Sequence, residues 1–158
     1  METKQISYGR WKHAYEAGKK TEEHFKELMI SRGNECIKSS YNDDLYKHID
    51  FYVNGFGVDV KGKRRTNAIW LEIVNVKGYK GWLRGEADFI VFDILDLNTY
   101  CVYKRIELLD FVSNITETTT NSRDYLKIYG RDVWEQKDKL IKCRYDDIKH
   151  LEVQQIQY

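Results

Sequence analysis

The sequence predicts an α+β domain, or a three-layer α/β domain, organised around a mixed β-sheet. Three observations lead there. The stretch "KKTEEHFKELMISRG" (19–33) has helical spacing. It is followed by "HIDFYV" and "FGVDVKGK", two strand-like runs joined at Asn54-Gly55, the strongest short-range hairpin signal. Behind them, nearly apolar runs alternate with short helical stretches.

The elements follow in order. In the helix, Phe25, Leu28, Met29 and Arg32 fall at 3,4 spacing, and Gly33 is a natural stop. Glu22 stands at the N-terminal end of that buried stripe, while Glu23 and Glu27 lie on its flank. After the hairpin, "AIWLEIVNV" (68–76) reads as the third strand of a β-meander. A glycine-rich loop, "KGYKGWLRG", leads to "ADFIVFDI" (87–94), whose continuous apolar character suits a strand covered on both faces. "TYCVYKRI" pairs back with it, and "ELLDFVSN" is a short helix. "NITETTTNSRD" (114–124) is loop-like, "RDVWEQKDK" is helical and "LIKCRYDDI" is a strand. With 158 residues, no repeat and no linker, residues 1–158 form one domain.

Composition removes several classes of function. No apolar run approaches the roughly 20 residues of a membrane span, and the first residues lack the apolar stretch of a signal peptide. Cys36, Cys101 and Cys143 are odd in number and scattered, which excludes a disulfide framework or a zinc ribbon and points to a reducing cytoplasm. A net charge of +1 means that any nucleic-acid surface must be local.

The hairpin carries the chemistry. With Asn54-Gly55 as the loop, Val53 opposes Phe56, Asp50 opposes Asp59 and His48 opposes Lys61. Side chains directly opposite on one sheet face are about 5 Å apart. A four-residue loop would instead set Asp50 against Lys61, with all three residues still on one face. Ile49, Phe51, Val53, Val58 and Val60 form the other, apolar face. Facing carboxylates repel, and a hard cation between them resolves the conflict; Mg²⁺ takes such oxygens, with Mn²⁺ as a substitute. The adjacent lysine supplies charge for a phosphate oxygen or an attacking hydroxide. The tripeptide alone means little, because carboxylate-x-Lys recurs at Glu2-Thr3-Lys4, Glu135-Gln136-Lys137 and Asp147-Ile148-Lys149. The strand context and the shared face distinguish the hairpin copy.

These residues resemble the PD-(D/E)XK nuclease superfamily, in particular its small phage or bacterial members of resolvase-like or restriction-endonuclease-like type. "GKKTEEHF", "HIDF", "VDVKGK" and "GEADFIVF" follow that superfamily's order, from Gly18 to Phe92. The resemblance implies a restriction-endonuclease-like core: a helix, a meander bearing Asp and then (Asp/Glu)-x-Lys, and a crossover helix to another strand. Asp50 matches the first acid, Asp59 and Lys61 the second acid and the lysine, and Glu22 the helix glutamate. Ile49 stands where the motif's name has proline, a position at which members vary. The implied activity is metal-dependent phosphodiester hydrolysis. Asp50 and Asp59, with Glu22, would hold one or two Mg²⁺, and Lys61 would support the nucleophile.

Glu72, between Leu71 and Ile73, is a further candidate for the same site; His48 is read as a bystander. For nucleic-acid contact the candidates are Lys63, Arg64 and Arg65, which follow the motif strand, and Lys80, Trp82 and Arg84 in the glycine-rich loop. Trp82 either stacks on a base or anchors the loop in the core. The expected partner is DNA. A Holliday-junction resolvase, an RNA nuclease and a non-catalytic nucleic-acid-binding module are the alternatives, and the sequence leaves open whether the chain forms a homodimer.

Overall fold

The structure, a computed structural model, describes residues 2–131 and 134–158. Its first helix, α1 (Glu2–Ser31), begins well before the stretch with apolar periodicity. No proline interrupts the polar, largely helix-forming residues ahead of it. As expected, the helix stops at Gly33, whose φ of 83° turns the chain while Asn34 N–H returns to Met29 O at 3.0 Å.

Strand β1 (Cys36–Lys38) leads through a π-helical turn (Asp43–Lys47) into the hairpin of β2 (Phe51–Val53) and β3 (Phe56–Arg64). The register is that of the two-residue loop: Val53 pairs with Phe56 and Phe51 with Val58. Asn54 and Gly55 both have positive φ, 50° and 88°, the requirement of a type I′ turn. The remaining elements are β4 (Ile69–Val74), β5 (Phe89–Ile94), β6 (Thr99–Lys104), α2 (Arg105–Ser113), β7 (Thr118–Thr119), β8 (Ile128–Gly130), β9 (Lys139–Cys143), α3 (Tyr145–Ile148) and β10 (Glu152–Gln157).

The architecture is α+β with mixed sheets. One six-stranded sheet has the order β1-β2-β3-β5-β6-β10, in which β3 and β5 are parallel and the other neighbours antiparallel. A meander is present, but its third strand is β1. The stretch expected to be that strand, β4, leaves for a separate sheet of order β4-β9-β8-β7. The β3-to-β5 connection therefore contains β4 and one 3₁₀ turn (Trp82–Arg84), where a crossover helix was expected. Nor is "RDVWEQKDK" a helix: its described residues form a turn and irregular chain before β9 begins at Lys139, and Asp132 and Val133 lie outside the described residues. There Asp138 is buried and paired with Arg131 at 3.5 Å.

The central sheet separates two cores. On one face α1 lays Phe25 and Met29 against Phe51, Val58, Val60, Val91, Tyr100 and Val102. On the other, Ile90, Phe92, Ile94, Cys101 and Tyr103 pack against Ile69, Leu71, Trp82, Leu108 and Ile141. Ile49, expected beside Phe51, joins this second core instead. Ile49 lies outside β2, which begins at Phe51, so the alternation of the strand does not extend to it. The three cysteines are buried and free. Among the described residues, no helix is long and apolar enough to cross a membrane.

Candidate active site

The hairpin does bring the expected acids together, in a less regular way than a ladder would. Regular pairing ends at Phe51 and Val58. Beyond it, Asp50 N–H donates to Val58 O at 2.8 Å, and Asp50 Oδ2 accepts from Val60 N–H at 2.7 Å. The aspartate side chain thus replaces a strand carbonyl, which fixes its carboxyl beside the next residue inward, Asp59. The two carboxyls are close enough that the charge of Asp59 acts on Asp50.

The face expected to be charged and solvated is buried. Asp50 is 7% exposed and Asp59 2%, because the second sheet and the turn at Trp82 cover this side of β3. Burial, and then the charge of Asp59, push the Asp50 carboxyl up to about 7. Burial also raises Asp59, against the opposing pull of Lys61. The two carboxyls therefore titrate as a coupled pair, and burial opposes the charge on both. Asp59 Oδ1 meets Lys61 Nζ at 2.8 Å, but its buried Oδ2 has no hydrogen-bond partner. An unpartnered, buried carboxylate oxygen beside a second carboxyl has the chemistry of a cation ligand. Among the described residues no group of three or more His, Cys, Asp or Glu side chains is placed to hold a metal. Protein ligation here would therefore come from two carboxylates, within the usual number for Mg²⁺.

Lys61 is clamped from below. Its ammonium lies 4.9 Å from the centre of the Trp82 ring, and that ring packs edge-on against Phe92. Trp82 is 7% exposed and belongs to the core, so its role is to anchor the loop and support Lys61 rather than to stack on a free base. A β-bulge then divides the basic run that follows. Between Lys61 and Arg64, β3 contains one residue more than β5 does between Phe92 and Ile94. Arg64 is returned to the face of Asp59, whose charge it feels; its Nε is buried without a partner, and burial lowers its pKa. Lys63 faces the α1 side, in a cleft with His13, Lys20 and His24. Arg65 is held by Asp96 at 2.8 Å.

A cleft of about 960 Å³ is lined by Tyr46, His48, Glu72, Tyr79, Lys80 and Arg84 among others; Asp50, Asp59 and Lys61 do not line it, and its link to them is the Lys61 charge felt by His48 and Glu72. The loop cations therefore do line a concave surface. Gly81 in this loop has a packing purpose. A Cβ on Gly81 would lie 2.6 Å from Glu72 O, so only glycine lets the loop pack on β4. Glu72 accepts from Trp82 N–H at 3.3 Å; burial raises its carboxyl, while Lys61 and His48 oppose the shift. His48, read from sequence as a bystander, lies in this cleft. Its ring donates to the Lys80 backbone carbonyl, and burial, then the Lys61 charge, hold it below the usual histidine value. Its position opposite Lys61 in the hairpin count was the available signal.

Glu22 is placed at the rim. Lys19 holds it at 3.0 Å and Lys38 at 3.4 Å, and Lys38 also reaches Asp44 at 3.7 Å. Its link to the acids runs through Lys19, whose ammonium feels Glu22, Asp44 and Asp50. Of the three other carboxylate-x-Lys copies, Lys4 lies in α1 and Glu135 in a turn, while Asp147 caps α3 by accepting from Arg144 N–H at 2.7 Å. Compared with family models, curated proteins and solved structures, the chain matches none of them.

Proposed function

We propose that this chain is a Mg²⁺-dependent nuclease of the PD-(D/E)XK kind, with a restriction-endonuclease-like core, that cleaves phosphodiester bonds in DNA within the cytoplasm. One observation carries the reading: the partnerless, buried Asp59 Oδ2 beside the Asp50 carboxyl, with Lys61 at the other oxygen. Folding alone gives no reason to bury two carboxyls together, since desolvating each is costly. The parallel β3–β5 pair at the centre of the sheet, with Asp59 on β3 and Asp50 just before β2, supports the core assignment.

In this reading Asp50 and Asp59 would hold the metal, whose chemistry when bound would be a more acidic bound water and a polarised phosphate. Lys61, fixed by Asp59 and by the Trp82 face, places a positive charge where negative charge develops on the nucleophile and the phosphoryl oxygens. Arg64, with its unpaired Nε on the same face, receives a phosphate oxygen. Lys80 and Arg84 grip the backbone along the cleft. Glu22 contributes as a ligand only on release from Lys19 and Lys38; as placed, it holds those lysines at the rim.

The test is incubation with linear, circular, single-stranded and branched DNA, and with RNA, with and without Mg²⁺ or Mn²⁺. Metal-dependent cleavage by the wild-type chain, absent in Asp59→Asn, is the expected result. Binding without cleavage of any substrate would leave a non-catalytic nucleic-acid-binding module, and preference for branched DNA or RNA would revise the substrate.

A further inference from the structure

The N-terminal half of α1 is the largest feature that the proposed centre leaves unused. Residues 10–17 are exposed, and from residue 9 onward the helix is first buried at Thr21. Within "RWKHAYEAGKK" (10–20) there are four Lys or Arg against the single acid Glu16, in a chain whose net charge is only +1. The same segment contains no Leu, Ile, Val or Phe.

One helical face runs from this segment to Glu22 at the rim of the site, where the Lys19 ammonium feels the Asp50 charge. Trp11 and Tyr15 stack at 5.5 Å with 16° between their rings. The Lys19 ammonium lies 5.6 Å from the Tyr15 ring centre, and Lys19 pairs with Glu22 at 3.0 Å. Positions 11, 15, 19 and 22 follow the three-and-four spacing that stacks side chains along a helix. Where this face reaches the sheet, Gly18 meets Gly62, the residue after Lys61: a Cβ on Gly62 would lie 3.9 Å from Gly18 Cα. Trp11 is 62% exposed and Tyr15 53%, so the aromatic surface faces solvent along this line.

We propose that the projecting half of α1 is a track for single-stranded nucleic acid, which leads an unpaired strand to the Asp50–Asp59 centre. The proposal rests on reading that centre as a nuclease, and it adds the form of substrate. Aromatic faces flanked by cations suit unstacked bases followed by phosphates. A blunt duplex offers this ridge only its backbone, since its bases are already stacked. A membrane surface fits poorly because the helix lacks the aliphatic face that such helices bury. A second copy of the same basic helix would be repelled.

The test measures anisotropy of a labelled single-stranded oligonucleotide and of a blunt duplex, with full-length chain in EDTA so that nothing is cleaved. Replacing both Trp11 and Tyr15 by Ala should weaken single-strand binding by about tenfold or more, and duplex binding by less than about twofold. Replacing Arg10 and Lys12 by Ala should flatten the single-strand salt slope by roughly 1.4, at about 0.7 per cation. With Mg²⁺, the aromatic double variant should lose cleavage of tailed duplexes more than of blunt ones. An unchanged melting temperature confirms that the exposed positions do not support the fold. Equal losses for both substrates, or none, overturn the proposal. So does a wild-type dimer that the aromatic variant turns into a monomer, or binding to anionic phospholipid vesicles that the variant abolishes. Failure of the nuclease reading is separately visible: the wild type would cleave nothing with any metal, whatever the binding in EDTA shows.

Discussion

The two faces of β3 are buried to nearly the same depth with opposite chemistry. Toward α1, Val58 and Val60 meet Phe25, Met29 and Phe51. Toward the second sheet, Asp59 and Lys61 lie over Trp82 and beside Phe92. Burial on the first face stabilises the fold by removing apolar surface from water. Burial on the second opposes it, because two carboxyls lose their hydration. Depth of burial alone thus does not reveal which side of a strand maintains the structure and which side serves chemistry. Replacing residues on one face at a time separates the two.

The largest effect is expected on the apolar face. Phe51→Ala should cost about 3–5 kcal/mol in denaturant unfolding, as for other buried phenylalanines, while the remaining folded molecules cleave at the normal rate. A specific loss of cleavage with intact stability would mean that the α1 face also takes part in the chemistry. Lys61→Ala should do the reverse. Single-turnover cleavage falls by about 10²–10³-fold, as when one transition-state donor is removed, with DNA affinity preserved. Full activity in this variant would remove the charged face from catalysis.

The third prediction concerns pH. The folded Asp50 carboxyl is raised to about 7 from its ordinary value near 4, so the folded state binds more protons over this interval. Stability without metal should therefore fall as pH rises from about 4 to about 7, by roughly 2–4 kcal/mol. Asp50→Asn should flatten that dependence, and saturating Mn²⁺ or Mg²⁺ should do the same in the wild type by favouring the ionised pair. Melting curves at pH 5 and pH 8, in EDTA and in metal, check both, and a flat wild-type profile in EDTA would sink the coupled-carboxyl picture. The smallest effect is on the salt dependence of duplex binding. Lys80→Ala with Arg84→Ala should reduce the slope by about two, one per phosphate contact. Arg65→Ala should change it little, since Asp96 already holds that guanidinium.

Residues whose placement depends on their near neighbours were legible from the sequence. Asn54-Gly55 set a two-residue loop, period-two alternation set Asp59 and Lys61 on one face, and the register followed. The C-terminal half of α1 and the β5–β6 pair were equally plain, since each displays its own period or a nearly unbroken apolar run. Features fixed by distant partners were hidden. "AIWLEIV" reads as a strand whichever sheet receives it, and nothing local shows that β9, roughly seventy residues later, pairs with it in place of the hairpin. Trp82 could have been surface or core until Phe92 and Lys61 were placed around it. The direction of Lys63 and Arg64 depended on a bulge that Gly-Lys-Arg does not announce.

That bulge also makes the site sensitive to the number of residues, beyond their identities. Loss of the single codon for Gly62 would leave every acid and base in the protein. The strand would regain a regular pleat, and Lys63 would occupy the position that now lies against Gly18. A Cβ there would meet Gly18 Cα at 3.9 Å, an ordinary van der Waals contact, so the deletion would act through the changed register of β3 against β5 rather than through a clash with the helix. A one-residue deletion there should shift the pairing of β3 with β5 and the residues it presents to either face, whereas a one-residue deletion in the exposed loop at 120–123 should pass almost unnoticed.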